Sequence, residues 1–291
     1  MARRAVTRAF VPSLRKLIQG EYRRVGVAKP LTLKDTMRAS SLPYTCARAM
    51  VLASKHDIEL PDVIDTNLLL TFDHGSGLHY ALQNIILPKV GALRGKWFCT
   101  KCGKRYGGNT AGNFGVVEEE FQVLRPESPC EVCKGEEYQY EEQFWINEAY
   151  RLTGHNDGFL DPLALGLPED KGLGVLEVKS ISPRRAPEIK DVPDFAHAVQ
   201  CQTYMWLTGC QWGIILYWVK GVYGINALVE HYMSYDEDTV ESLKTMTMSI
   251  WEGIETGELP ERICTSPDCK RAEECPLVNE CFEEQDDESS T

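Results

Sequence analysis

The stretch GHNDGFLDPLALGLPEDKGLGVLEVKS, Gly154 to Ser180, sets an aspartate, a glutamate and a lysine around two short apolar runs. DGFLD and GVLEVKS are rich in aliphatic residues and bounded by Gly and Pro, which reads as two neighbouring strands joined by a turn-rich loop. In the tripeptide Glu177, Val178, Lys179, strand alternation turns Glu177 and Lys179 to one face. Val178 goes to the core, with its backbone carbonyl left available. Asp157 on the adjacent strand completes an oxygen-rich pocket. Oxygen ligands suit Mg²⁺ or Mn²⁺, which polarise a phosphate, help deprotonate water and neutralise transition-state charge. Lys179 is placed to orient the attacking water or stabilise developing negative charge. Asp161 is expected to cap the strand end, and His155 is given no role.

Upstream, DTMRASSLPYTCARAMVLASKH predicts a helix beginning near Pro43 and carrying Cys46. DTNLLLTFDHGSGLHYALQNIILPKV has helical apolar spacing on both sides of a Gly-containing centre, with His79 inside the helix and Pro88 ending it. Strand character resumes at YQYEEQFWINEAYRL. PDFAHAVQCQTYMWLTG predicts a helix from Pro193 to Gly209. The four-residue spacing of Gln200 and Tyr204 sets them on one face of that helix. Two strands, WGIILYWV and GINALVEHYM, and an amphipathic helix over roughly 236–257 follow. No internal repeat is present. The order of helices and strands implies an α/β core with a mixed central sheet flanked by helices.

Eleven cysteines in a chain that reads as intracellular point to metal binding rather than a disulfide framework. Cys201 and Cys210 lie in an apolar stretch and read as core residues. Cys99 with Cys102 and Cys130 with Cys133 form two C-x₂-C knuckles, the pattern of a closed tetrahedral Zn²⁺ site in a Gly-rich ribbon. Lys101, Lys104, Arg105 and Lys134 give this ribbon a basic edge, so it either grips a nucleic-acid strand or a partner, or serves as a structural staple.

Together, GSGLHYAL with His79, GHND with Asp157, LEVKS with Glu177 and Lys179, and QCQTY with Gln200 and Tyr204 resemble the ordered motifs of the RecB-like branch of the PD-(D/E)XK nuclease superfamily. The resemblance spans about residues 42–282, interrupted by the ribbon. It implies that His79, Asp157, Glu177 and the Val178 carbonyl hold the catalytic cation, that Lys179 assists the water, and that Gln200 and Tyr204 brace the site or touch DNA. The final segment, with Cys264, Cys269, Cys275 and Cys281, together with Cys46 far upstream, is similar to the iron–sulfur subgroup of that branch, including the AddB subunit and the CRISPR-adaptation nucleases. That likeness implies a [4Fe–4S] cluster on four of these five thiols. CPLVNEC matches the closing C-x₅-C, but the preceding spacing is longer than the family's C-x₂-C, and a second zinc site is the alternative.

The expected organisation is a basic arm over 1–30, a nuclease core over 31–96 and 135–260, a zinc-ribbon insertion over 97–134, an iron–sulfur cysteine segment over 261–282 and an acidic tail over 283–291. A hydrophobic content of 43% and a charged content of 25% describe a globular chain. No apolar run reaches the length of a membrane span. The net charge of −12 argues against a protein that simply coats nucleic acid. Residues 1–29 nevertheless hold eight Lys or Arg against one Glu. This arm reads either as a solvated face or as a phosphate contact, and its composition also fits an organellar transit peptide.

The resemblance therefore implies a divalent-metal-dependent DNA exonuclease acting on single-stranded ends, with possible endonuclease activity. Its setting would be recombination, repair or phage DNA processing in the cytoplasm of a bacterial or phage-infected cell, alongside recombination or replication partners. The alternatives are a non-catalytic zinc-ribbon DNA-binding or assembly protein and a CRISPR-type spacer-processing nuclease.

Overall fold

The structure, a computed structural model, describes residues 36–56, 66–108 and 116–283 together with Leu14 and Arg15. The basic arm apart from those two residues, and the tail beyond Glu283, lie outside the described residues. No described helix is long and apolar enough to cross a membrane.

The chain forms an α/β fold with mixed sheets and flanking helices. In chain order the strands are β1 (Met37–Arg38), β2 (Leu93–Arg94), β3 (Lys96–Cys99), β4 (Arg105–Tyr106), β5 (Tyr138–Glu141), β6 (Gln143–Asn147), β7 (Leu152–Asn156), β8 (Gly158–Leu160), β9 (Gly174–Ile181), β10 (Trp212–Val219) and β11 (Leu228–Ser234). The main sheet runs β11-β10-β9-β8-β2. Among the described residues its one parallel pairing is β9 with β10, Glu177 lying opposite Ile215. A second sheet runs β1-β7-β6 and a third β4-β3-β5.

The near-continuous apolar run of β9 follows from burial on both faces. Val175 and Ile181 pack into a cluster with Trp145, Phe159, Tyr204 and Ile215. Leu176 and Val178 face the other way, among Leu82, Leu93, Trp97 and Trp212. The expected core position of Val178 is thus met. Glu177 and Lys179 share the opposite face with Val175 and Ile181.

Helix boundaries follow local chemistry. The helix expected near Pro43 divides in two: a 3₁₀ segment spans Ala39–Tyr44, and α1 spans Ala47–Lys55 with Cys46 as its N-cap. The cysteine therefore precedes the helix instead of riding on it, because Pro43 closes a tighter turn first. Next, α2 (Thr66–Ala81) runs into a π-helical turn over Leu82–Ile86, and Pro88 falls inside the final turn Leu87–Lys89. In α3 (Phe195–Thr208), the Asp194 carboxylate caps the start by accepting from Ala196 N and His197 N, and Gly209 ends the helix at φ 77°. Similarly, α4 (Glu237–Thr256) lies between an Asp236 cap and Gly257 at φ 81°. Two short helices close the described chain, α5 (Lys270–Glu273), with Cys269 as its N-cap, and α6 (Val278–Glu283), which carries Cys281; Cys275 lies between them and Cys264 precedes them.

Two glycines fix how these layers approach. A Cβ on Gly154 of β7 would lie 2.7 Å from Tyr204 Cε1 and 2.9 Å from Ala39 Cβ, so the Tyr204 ring of α3 occupies the place of that side chain. A Cβ on Gly75 of α2 would meet Ser180 Oγ at 3.4 Å, so this helix crosses close over the end of β9. Gly154→Ala is expected to destabilise the protein by about 1–3 kcal/mol through overpacking. A lowered urea midpoint with an unchanged m-value checks it.

Candidate active site

Asp157 occupies the bend where β7 of one sheet passes into β8 of another, opposite the middle of β9. Its carboxylate is 8% exposed on a residue basis and is held from two sides. Oδ2 accepts from Val178 N at 2.6 Å, and Oδ1 lies 3.2 Å from His79 Nδ1 of α2. The Asp157 carbonyl accepts from Gln83 Nε2 at 2.8 Å, tying the π-helical turn after α2 to the same bend. Single π-turns inside helices concentrate at functional sites, and this one places Gln83.

On β9, the Lys179 Nζ donates to Glu177 Oε1 at 2.7 Å and to Gln200 Oε1 at 2.8 Å. Glu177 is 2% exposed, and its second oxygen, Oε2, is buried with no hydrogen-bond partner. Tyr204, one turn beyond Gln200 on α3, packs against Gly154 and backs the same wall. Asp157, Glu177, Lys179 and Gln200 thus converge, with His79 completing one side.

Glu142, which strand patterning does not single out, joins them. It sits between β5 and β6 and accepts from Gln83 Nε2 at 2.9 Å. His79, Glu142 and Asp157 each offer a ligand atom within 4.8 Å of the others. The sequence signal was a pair of adjacent acids, Glu141 and Glu142, indistinguishable from a solvated edge until the strand break at Glu142 is known. Asp161 and His155 have structural surroundings: Asp161 accepts from Arg94 Nε at 2.6 Å and Leu163 N at 2.9 Å, and the His155 ring lies 5.0 Å from that of Phe144.

The electrostatics follow from this crowding. Burial, reinforced by the charge of Asp157 and opposed by Lys179, pushes the Glu177 carboxyl up to about 7. Burial pulls the Lys179 ammonium down, yet Glu177 beside it outweighs that and raises it overall. Burial likewise lowers His79, but its hydrogen bond to Asp157 and the surrounding carboxylates raise it on balance. Glu142 is raised by desolvation and by Asp157. Excess negative charge with an unpartnered carboxylate oxygen fits a bound cation. His79, Glu142, Asp157 and Lys179 line a cleft of about 770 Å³ whose walls also include Phe72, Tyr80, Ser180 and Lys220, while Glu177 is buried and not part of its lining.

The two C-x₂-C pairs converge as well. The Sγ atoms of Cys99 and Cys133 are 3.5 Å apart and those of Cys102 and Cys130 3.6 Å, near the edge of about 3.8 Å of a tetrahedron built on 2.3 Å zinc–sulfur bonds. Each knuckle ends on a left-handed residue, Gly103 at φ 73° and Lys134 at φ 58°. The Tyr106 hydroxyl donates to Cys130 Sγ at 3.2 Å, and with the backbone N–H groups of Cys133 and Val132 it brings that thiol down to about 6. The expected basic edge is partly neutralised, since Lys104 pairs with Glu131 and Arg105 with Glu141.

Of the five outer cysteines, Cys46, Cys264, Cys275 and Cys281 line one apolar cavity with Arg48 and Arg262. Cys269 adjoins it through a thiol contact with Cys264. Arg48 Nη1 donates to Pro260 O and Arg262 Nη2 to Cys281 O, but the Nε of each is buried without a partner.

Because the folded-state value of Glu177 lies above its ordinary 4.5, the metal-free fold binds this proton more tightly than the unfolded chain does. That stabilisation is complete below a pH of about 4.5 and is lost as pH rises through about 7. In chelator, the thermal midpoint is expected to fall by several degrees between about pH 5 and about pH 8, and to fall less for Glu177→Gln. Parallel pH profiles for the two proteins contradict the burial of Glu177.

No protein-family model and no curated protein matches the chain. Among solved structures, it is similar to an alkaline exonuclease (LHK-Exo) from Laribacter hongkongensis, at 11% identity and a TM-score of 0.46 over 82% of this chain and 93% of that one. LHK-Exo in complex with dAMP gives 11% identity and a TM-score of 0.41 over 77% and 89%. SSO0001 gives 14% identity and a TM-score of 0.38 over 92% and 98%.

Proposed function

We propose that the chain is a divalent-metal-dependent deoxyribonuclease of the PD-(D/E)XK type, degrading DNA from single-stranded ends. The observation that carries this reading is the buried Glu177 carboxylate, with one oxygen on Lys179 and the other unpartnered, beside an Asp157 already fixed by Val178 N and His79. A binding scaffold gains nothing from burying an incompletely satisfied acid.

His79, Asp157, Glu177 and the Val178 carbonyl are the groups that would hold Mg²⁺ or Mn²⁺; Glu142 stands with His79 and Asp157 as a further ligand, since those three offer atoms within 4.8 Å of one another, whereas Glu177 would have to leave Lys179 or offer its buried second oxygen. When bound, such an ion polarises a phosphate oxygen and eases deprotonation of water. Lys179 keeps its ammonium charged next to Glu177 and offers the donor that steadies an attacking water or the charge growing on phosphate. Gln200, its amide oxygen taken up by Lys179, sets the direction of that ammonium, and Tyr204 behind it blocks lateral movement of α3 against β7. Nucleophile orientation is thus built on the sheet and one helix, which hold geometry better than loops do.

The four-cysteine knuckle is read as a structural Zn²⁺ site on its sulfur spacing. The outer cysteines are read as the seat of a [4Fe–4S] cluster joining Cys46 to the terminal segment. The unpartnered guanidinium nitrogens of Arg48 and Arg262 beside those thiols suit an anionic thiolate–metal group.

Lys179→Ala and Asp157→Ala are expected to reduce Mg²⁺- or Mn²⁺-dependent degradation of end-labelled single-stranded DNA by about 100-fold or more, with strand binding retained. Undiminished cleavage by both variants overturns the assignment. Protein purified without oxygen should be brown and contain both iron and acid-labile sulfide, and Cys46→Ala should lose the colour. A colourless protein holding only zinc contradicts the cluster.

A further inference from the structure

Phe72 and Tyr80 stand on the wall of the cleft, 51% and 50% exposed, and on the helix, α2, that supplies His79. Isolated apolar side chains on a surface are common and carry no meaning by themselves. These two differ in position. At eight residues apart they project from the same broad face about 12 Å apart along the axis, with Ser76 between them, and that face borders the carboxylates. Another wall carries Lys179, Ser180 and Lys220. One side of the cleft therefore offers aromatic surface and another offers cationic and hydroxyl groups.

We propose that Phe72 and Tyr80 are stacking platforms for the bases of an unpaired nucleic-acid strand whose backbone runs along the Lys179 and Lys220 side. Bases inside a duplex keep both faces covered by neighbouring pairs and a terminal pair exposes one, so two rings about 12 Å apart on one wall are served together by unpaired nucleotides. The same rings tolerate any base, because every base has a π-face. This assignment deepens the nuclease reading by naming residues that select an unpaired strand, and it rests on that reading for the direction of the backbone.

The test is fluorescence anisotropy in chelator, comparing a labelled oligothymidylate with an abasic strand of equal length, alongside Mn²⁺-dependent cleavage measured separately. Wild-type protein is expected to bind the strand with bases more tightly than the abasic strand. Phe72→Ala and Tyr80→Ala are each expected to weaken oligothymidylate binding by about 5- to 150-fold, leaving abasic binding within about twofold, whereas Phe72→Trp and Tyr80→Phe retain the preference. Equal binding of the two strands by wild type, or alanine variants that bind oligothymidylate as wild type does, overturns the proposal. If the preference holds but wild type cleaves nothing with Mn²⁺, the nuclease reading fails while the stacking assignment stands.

Discussion

The hydrogen bond from Val178 N to Asp157 Oδ2 joins the middle of the central strand to the bend between two sheets, and the site depends on it. Val178 lies between the two residues whose side chains reach the pocket, so the bond sets Asp157 in register with Glu177 and Lys179 together. Its donor has no competing ladder position to fill, because Asp157 sits where β7 ends and β8 begins. A one-residue slip of β9 would turn Glu177 and Lys179 toward Leu82 and Trp97 and bring two apolar residues to the pocket.

The adjacent acids Glu141 and Glu142 show how the cysteine knuckle and the cleft are tied. Glu141 closes the β3–β5 edge by pairing with Lys96 and Arg105, both next to the knuckle. Glu142, the next residue, points back to Gln83 and the His79–Asp157 pair. Holding the knuckle therefore also holds one wall of the cleft. At the far end, Arg48 bridges α1 to Pro260 and brings Cys46 to the terminal cysteines, so residues distant in sequence line one cavity.

Much of this was legible in the sequence where local chemistry is decisive. Gly209 ends α3 as a left-handed terminator should, whereas its start, read at Pro193, falls at Phe195 behind the Asp194 cap; strand alternation set Glu177 and Lys179 on one face, and the two side chains meet there. The C-x₂-C spacing announced the knuckle because two thiolates on a tight turn have few other uses. Features set by tertiary register were not legible. Glu142 acquires its place only because β5 stops before it and β6 starts after it. The π-helical turn that aims Gln83 has no sequence mark, and Cys46 proved to cap a helix because a preceding 3₁₀ turn, not the helix itself, absorbs Pro43.

The central claim is that Asp157 and Glu177 share one hard cation with His79. Anomalous diffraction from crystals grown with Mn²⁺ tests it most directly. The account predicts a peak at about 2.1 Å from oxygen atoms of both carboxylates, as expected for a small divalent ion, with the His79 imidazole as a further ligand. A Mn²⁺ peak bound elsewhere, or a pocket in which Glu177 remains closed on Lys179 with no ion beside it at saturating Mn²⁺, contradicts the account.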